Sequence, residues 1–274
     1  MESLSDKDGR IVVITDLFSS IGLATAILLS RSGHRVFGTV LDRSETPETP
    51  AFEQVELDVR DDESVERGVA DILEKAGRID ALVNNASICV IGGLEETSIV
   101  QSNELFQTNF FGALRMTYQV LPHMRLQGAG RILNVSSILG ILPGPIMGVF
   151  TASQFALEGW SASLDQEVRT RGIRVSTIRT GLSREEGGAR MRTPDRPLGR
   201  YRVQRARTSG RLRRAVGSSV DDEIVAEVLE RALLDRSPKA SYPAGTEAKL
   251  LSVIGKFAPS FLVDYILRRQ LELD

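Results

Sequence analysis

The sequence predicts a single α/β domain, a parallel sheet wound outwards in both directions and covered by helices on both faces. Three observations predict it. Short apolar runs rich in β-branched residues recur along the chain, as in RIVVIT at Arg10–Thr15. Segments with a 3.6-residue apolar period lie between those runs. At 274 residues the chain is long enough to bury such a sheet, and no internal repeat divides it.

Taken in order, Arg10–Thr15 reads as a buried strand. Ser19–Ser32 reads as a helix, with Ile21, Leu23, Ala24, Ile27 and Leu28 on one face and Gly33 closing it. Arg35–Val40 and Phe52–Leu57 are the second and third strands. Asp61–Ala76 is an amphipathic helix whose early acids suit the helix dipole. Ile79–Asn84 is the fourth strand, Ile99–Gln127 a long helix and Arg131–Ser136 the fifth strand. Val149–Arg171 is a second long helix, Ile173–Ile178 a sixth strand, and Asp221–Arg236 a further helix. The tail from Thr246 reads as two short amphipathic helices around Pro259. Residues 1–274 then form one domain, with a C-terminal helical extension over 244–274. Crossovers in such a sheet are right-handed, and ligands sit at the carboxyl ends of the strands, where the strand order reverses.

Composition narrows the function classes. Hydrophobic content of 42% and charged content of 26% are those of an ordinary soluble globular chain. The lone Cys89 excludes an internal disulfide and offers no metal cluster. No apolar run reaches the roughly 18–20 residues of a spanning helix. The start, MESLSDKDGR, reads as neither a signal nor a transit peptide, so a cytoplasmic location is expected. Net charge is −2 but uneven: residues 184–214 carry eleven Arg against Glu185, Glu186 and Asp195, a net of +8.

The chemistry concentrates in RILNVSSILGILPGPIMGVFTASQFALEGW, Arg131–Trp160. This stretch resembles the catalytic segment of the short-chain dehydrogenase/reductase family. Ser137 stands where the family has its Ser, Phe150 at the Tyr position and Gln154 at the Lys position. Asn84-Asn85-Ala86-Ser87 is similar to the family's NNAG, Asn109 to its helix Asn, and Asp58 to its adenine-contacting Asp. Thr180-Gly181 stands where the family has Pro-Gly, and YPAGTEAKLL resembles the branch holding 17β-hydroxysteroid and retinol dehydrogenases. The resemblance covers nearly the whole chain and implies a Rossmann-like fold.

The departures face one ligand. The family's TGxxxGxG turn is here Thr15-Asp16-Leu17-Phe18-Ser19-Ser20-Ile21-Gly22. Glycines there let a backbone approach pyrophosphate at a helix N-terminus. Asp16 adds a side chain and a charge that repels a dianionic linker. Phe18 and Leu41 replace residues that hold a 2′-phosphate in NADP-using relatives, Glu185 replaces the carboxamide-holding Thr, and Ser87 replaces a glycine. Of the degenerate cofactor set, Thr15, Asp16, Ser19, Ile21, Gly22, Asp58 and Asn85, only Gly22 keeps a glycine of the turn. The expectation is therefore no cofactor, with NADP or NAD the choice if the site still works.

Carbonyl reduction needs a proton donor, and a phenol beside an ammonium supplies it. Phe150 has no exchangeable proton and Gln154 no charge. Ser137 and Asn109 can still polarise a carbonyl, although Asn109 is equally a structural residue. Ser137 has no His or Lys nearby in the motif to make it a nucleophile. Asp16 and Glu185 offer acid–base candidates, against the preferred reading that Asp16 caps the next helix and Glu185 is solvated or paired with an Arg. Cys89, His34 and His123 read as packing or structural residues.

An apolar loop that includes Leu139, Leu142 and Met147, with Leu182 beyond it, is expected to bind a hydrophobic small molecule. The Arg-rich stretch within 184–219 lies where the family has its substrate lid. It is a solvated loop, or else it attracts an anionic or carrier-linked partner. Nucleic acid is not expected, because Tyr201 is the lone aromatic in that stretch. Pairing through the two long helices, as in relatives, implies a homodimer or homotetramer. Three functions follow: a cofactor-independent cyclase, isomerase or dehydratase, which is preferred; an inactive scaffold or dimer partner; and an atypical NAD(P)-dependent ketoreductase.

Overall fold

The computed structural model describes residues 9–44, 51–181, 191–215, 222–259 and 261. β1 (Ile11–Ile14) is buried along its length, as a central strand covered on both faces must be. α1 (Ser20–Arg31) follows, capped by Ser19, whose Oγ accepts the Gly22 N–H at 2.8 Å. β2 (Arg35–Val40) lies beside β1, and β3 (Glu53–Glu56) forms a charged sheet edge. α2 (Asp62–Ala76) starts at an Asp61 cap and stops at Gly77, whose φ of 74° suits glycine.

β4 (Ala81–Asn84) and the two-residue β5 (Cys89–Val90) come next. α3 (Ile99–Phe106) passes through a π-helical turn at Gln107–Phe111 into α4 (Gly112–Gln127). The long helix expected from periodicity is thus interrupted at Asn109. β6 (Gly130–Ser137), α5 (Gly148–Val168), β7 (Ile173–Thr180) and the short β8 (Met191–Arg192) follow. α6 (Arg202–Ala215), α7 (Asp222–Leu234), β9 (Ser241–Pro243) and α8 (Gly245–Phe257) complete the described elements. α8 is the first of the two tail helices expected, and the second falls outside the described residues.

Seven strands form a parallel sheet in the order β3-β2-β1-β4-β6-β7-β9. The order reverses between β1 and β4, so the carboxyl ends of those two strands open the crevice where such sheets bind ligands. One core layer packs under α2, α4 and α5 and includes Leu82, Met116, Ile132 and Val168. The opposite layer packs under α1 and α7 and includes Leu17, Leu29, Leu133 and Leu229. A third cluster, with Cys89, Ile91, Leu105, Leu139, Met147 and Phe150, lies beyond the sheet's carboxyl edge.

Two buried polar sets tie the layers together. Asn84 Nδ2 donates to Asn134 Oδ1 at 2.8 Å, and Asn134 Nδ2 donates to Ser161 Oγ at 2.7 Å, linking β4, β6 and α5. Asp165, on α5, accepts from Arg174, the Val175 amide and Arg169. Burial opposes its charge, but those hydrogen bonds outweigh burial and hold the carboxyl below the usual aspartate range.

The described part of the Arg-rich stretch, residues 191–215, holds a short strand and a helix. β8 pairs with β5, and α6 is helical and fastened to the domain. Glu96 is fully buried and accepts from the Gly93 amide at 2.7 Å, the Leu198 amide at 2.6 Å and the Arg205 guanidinium. Asp195 accepts from the Ser98 amide at 2.9 Å and from the Ser98 hydroxyl.

Candidate functional site

The turn after β1 is rigid. The Thr15 hydroxyl accepts from the Asn85 amide at 2.8 Å and the Ala86 amide at 3.0 Å. Asn85 Nδ2 returns bonds to the Thr15 carbonyl at 3.0 Å, the Asp16 carbonyl at 3.2 Å and Ser19 Oγ at 2.7 Å. Thr15, Ser19 and Asn85 therefore hold the turn to β4. Ile21 is buried in the core under α1. Gly22 survives for a steric reason: a Cβ there would stand 2.5 Å from the Asp16 carbonyl oxygen. Gly38, on β2, is needed too, since its Cβ would meet the Leu17 side chain at 2.4 Å.

Asp16 adopts φ of 55°, a left-handed conformation that Asp tolerates better than most residues but that favours glycine. The N-cap of α1 is Ser19. With Leu41, Asp58, Arg60, Ser87, Thr108 and Arg192, Asp16 lines an open cleft of about 170 Å³. Hydrogen bonds from Arg60, at 2.6 Å for its Nη2, hold the Asp58 carboxyl below the usual aspartate range, against the effect of burial. Sequence reasoning missed Arg192 and Thr108. Arg192 reaches the cleft through the pairing of β8 with β5, elements two residues long that carry no periodic signal.

A second cavity of about 10 Å³ lies against Thr15, Asn84, Ser87, Asn109, Leu157 and Gln154. It has room for about one water. Asn84 Oδ1 is buried there without a hydrogen-bond partner among the described residues. No ionisable side chain lines this cavity.

Asn109 occupies the π-helical turn, where its amide is used up. Oδ1 accepts from the Ile88 amide at 2.8 Å, and Nδ2 donates to the Ile88 carbonyl at 2.8 Å and to Ser153 Oγ at 3.2 Å. Ser153 in turn donates to the Phe150 carbonyl at 2.7 Å. The structural reading of Asn109 prevails, and carbonyl polarisation by its amide is withdrawn, because both groups are spent on the loop after β4. Ser137 ends β6, and its buried Oγ accepts from the Leu139 amide at 3.2 Å.

Phe150 and Gln154, one helical turn apart on α5, are each 2% exposed. They face different surroundings. Phe150 belongs to the third apolar cluster, and Gln154 borders the small polar cavity. Leu139 and Met147 are packed in that same cluster, and Leu142 is equally buried near Gly255. Neither of these two cavities touches the three residues. Leu182 and Glu185 lie outside the described residues.

The described residues leave room for part of a nicotinamide dinucleotide. The wide cleft gives room beside Asp58 and Leu41. The approach over the first turn meets Asp16, and the space beside Gln154 admits about one water.

Comparison with known proteins agrees with the fold. A model of the short chain dehydrogenase family matches residues 10–193, and this chain belongs to that family. It is 30% identical over 262 residues to the uncharacterized oxidoreductase YbbO of Escherichia coli K12, covering 94% of this chain and 93% of YbbO. It is 37% identical over 172 residues to 3-ketodihydrosphingosine reductase of Bacteroides thetaiotaomicron, covering 63% of each. Retinol dehydrogenase 8 of Bos taurus is 36% identical over 184 residues, covering 63% of this chain and 58% of that one. The chain thus spans less than two thirds of these last two relatives.

Among solved structures, a short-chain dehydrogenase from Streptomyces avermitilis superposes with a TM-score of 0.80 at 28% identity, covering 98% of both chains. A Tyr-to-Phe variant of ElxO with NADPH bound gives a TM-score of 0.61 at 28% identity, covering 64% of this chain and 75% of that one. Among the described residues, no helix is long and apolar enough to cross a membrane.

Proposed function

We propose that this member of the short-chain dehydrogenase family binds a hydrophobic small molecule without carrying out tyrosine-driven carbonyl reduction. One observation carries the reading. Phe150 and Gln154 stand where that reaction needs a phenol and an ammonium, and no ionisable side chain lines the cavity at Gln154. General acid catalysis is typically worth about 10²–10⁴-fold, and among the described residues lining that cavity no ionisable group replaces it. Ser137 accepts from the Leu139 amide, and in this reading its hydroxyl would donate to the ligand. Non-redox chemistry on that ligand, such as cyclisation or isomerisation, would rest on Ser137, since Asn109 is engaged elsewhere. We further propose a homodimer or homotetramer, a reading supported by the exposed Phe111 in the π-helical turn, Tyr118 on α4 and Phe155 on α5.

A second reading is NAD(P)-dependent oxidoreduction. The open cleft beside Asp58 favours it, as do relatives named oxidoreductase or reductase. The ElxO variant shows that, in that protein, Tyr-to-Phe exchange is compatible with bound NADPH. The obstacle here then falls on Asp16, Ser20 and Gln154 rather than on Phe150.

The deciding experiment is calorimetric titration with NADPH and NADH up to about 1 mM, which reaches weak affinities, followed by NADPH consumption with a panel of apolar ketones. The wild type is expected to give neither heat nor turnover. Restoring Asp16→Gly with Ser20→Gly is expected to bring binding, and adding Phe150→Tyr with Gln154→Lys to bring reduction. Ketone-dependent NADPH oxidation by the wild type would establish the second reading instead.

A further inference from the structure

The charged residues lining the open cleft are Asp16, Asp58, Arg60 and Arg192. Arg60 and Asp58 neutralise each other, through Nε at 2.9 and 3.1 Å and Nη2 at 2.6 Å. The Arg192 guanidinium, by contrast, makes no hydrogen bond among the described residues. Its charged contact there is Glu104 Oε2 on α3, at 3.6 Å, beyond hydrogen-bond reach. Both side chains are about half exposed, and such a pair holds its members weakly.

The backbone of Arg192 is nevertheless fixed. It lies beside Val90 in the pairing of β8 with β5, and its carbonyl accepts from the Ile91 amide at 3.0 Å. Gln101 of α3 holds the residues that follow, donating to the Thr193 carbonyl at 2.9 Å and accepting from the Asp195 amide at 3.0 Å. Ser87, after β4, lines the same cleft, and its hydroxyl likewise makes no hydrogen bond among the described residues. Val40, Leu57, Val59 and Ile88 give the cleft apolar walls. A placed guanidinium and a hydroxyl, both with donors unspent, therefore border an apolar space.

We propose that this cleft binds a monocarboxylate with a compact apolar body, its carboxylate held by Arg192 and Ser87. The planar fork of a guanidinium matches a carboxylate's two oxygens, and the hydroxyl adds a third donor. A phosphate monoester suits the cleft less well, because the Asp16 charge opposes a dianion more than a monoanion. The site rests on this cleft holding no dinucleotide, as proposed above.

Calorimetric titration of the full chain tests it, with benzoate, benzyl alcohol and phenyl phosphate each up to ~10 mM at ~0.05 M salt, and NADPH as a separate arm. Heat is expected from benzoate alone. Arg192→Gln should weaken benzoate roughly tenfold or more, Arg192→Lys less, and Ser87→Ala about three- to tenfold. Glu104→Gln should tighten it about two- to threefold by removing the competing anion, an effect no purely structural role for Arg192 predicts. Urea midpoints of the Arg192 and Glu104 variants should match the wild type, since both side chains are about half exposed. Absence of benzoate heat overturns the proposal, as do equal heats from benzyl alcohol, tighter binding of phenyl phosphate, or an Arg192→Gln variant that binds as the wild type does. With no NADPH heat, those results leave the proposed function standing; NADPH heat instead overturns the reading of the cleft as free of dinucleotide, and this proposal with it.

Discussion

Glu96 is the residue whose loss should be felt most widely outside the central sheet. Its carboxylate is fully buried and takes hydrogen bonds from Gly93, Leu198 and Arg205, three points of the chain more than a hundred residues apart at the extremes. Glu96→Ala leaves two amides without acceptors and the Arg205 cation, itself mostly shielded, without its anion. Breaking one side of a buried ion pair costs about 3–5 kcal/mol, a range that already includes the stranded partner. For a chain of this size that corresponds to a fall in Tm of roughly 5–9 °C. Urea denaturation followed by circular dichroism measures it, with the midpoint shifting and the slope unchanged. Arg205→Met should cost a similar amount, because it strands the carboxylate. The double variant Glu96→Leu/Arg205→Met should then cost clearly less than the two single variants added together. An alanine variant within about 1 kcal/mol of the wild type would refute the reasoning, as would strict additivity in the double variant.

Other outcomes follow from the same geometry. Asn109→Ala should destabilise by about 1–3 kcal/mol, since the amide and carbonyl of Ile88 both lose their partner; an unchanged urea midpoint would make Asn109 available to a ligand again. Gly38→Ala should cost roughly 1–3 kcal/mol by driving a methyl into Leu17, and its proteolysis should quicken at the turn after β1. His34 accepts the Arg10 amide through Nδ1, and burial first, then the Arg10 charge, lower its pKa from 6.5. Its folded value lies below its unfolded one, so its contribution is complete above about pH 6.5 and fades as the pH falls below that. The urea midpoint should therefore drop from pH 7.5 to pH 5, and His34→Gln should flatten that part of the profile, with an identical slope counting against it.

The sheet was legible in the sequence because its signal is local. RIVVIT, the Ser19 and Asp61 caps, and the glycines at 33 and 77 each declare their structure within a few residues, and their order along the chain implies parallel strands. The replacements at Asp16, Phe150 and Gln154 were equally plain, since a missing phenol or ammonium is a matter of residue type. Position was not. β9 is three residues with a proline at a sheet edge, and β5 and β8 are two residues each, too short for any period to show.

The roles of individual side chains also waited on tertiary structure. Asn109 suited a ligand and the fold equally until the π-helical turn brought its amide to Ile88 and Ser153. Leu139 and Met147 pack in the third apolar cluster, and apolar residues in a loop suit a pocket wall and a core equally, so the sequence did not tell the two apart. Arg192 entered the cleft and Glu96 gathered α6 through contacts across about a hundred residues, which no local pattern encodes. By itself the sequence determined which chemical groups the site can offer. The fold decided which of them remain unspent, because a hydrogen bond or a packing contact already made within the protein is withdrawn from any ligand.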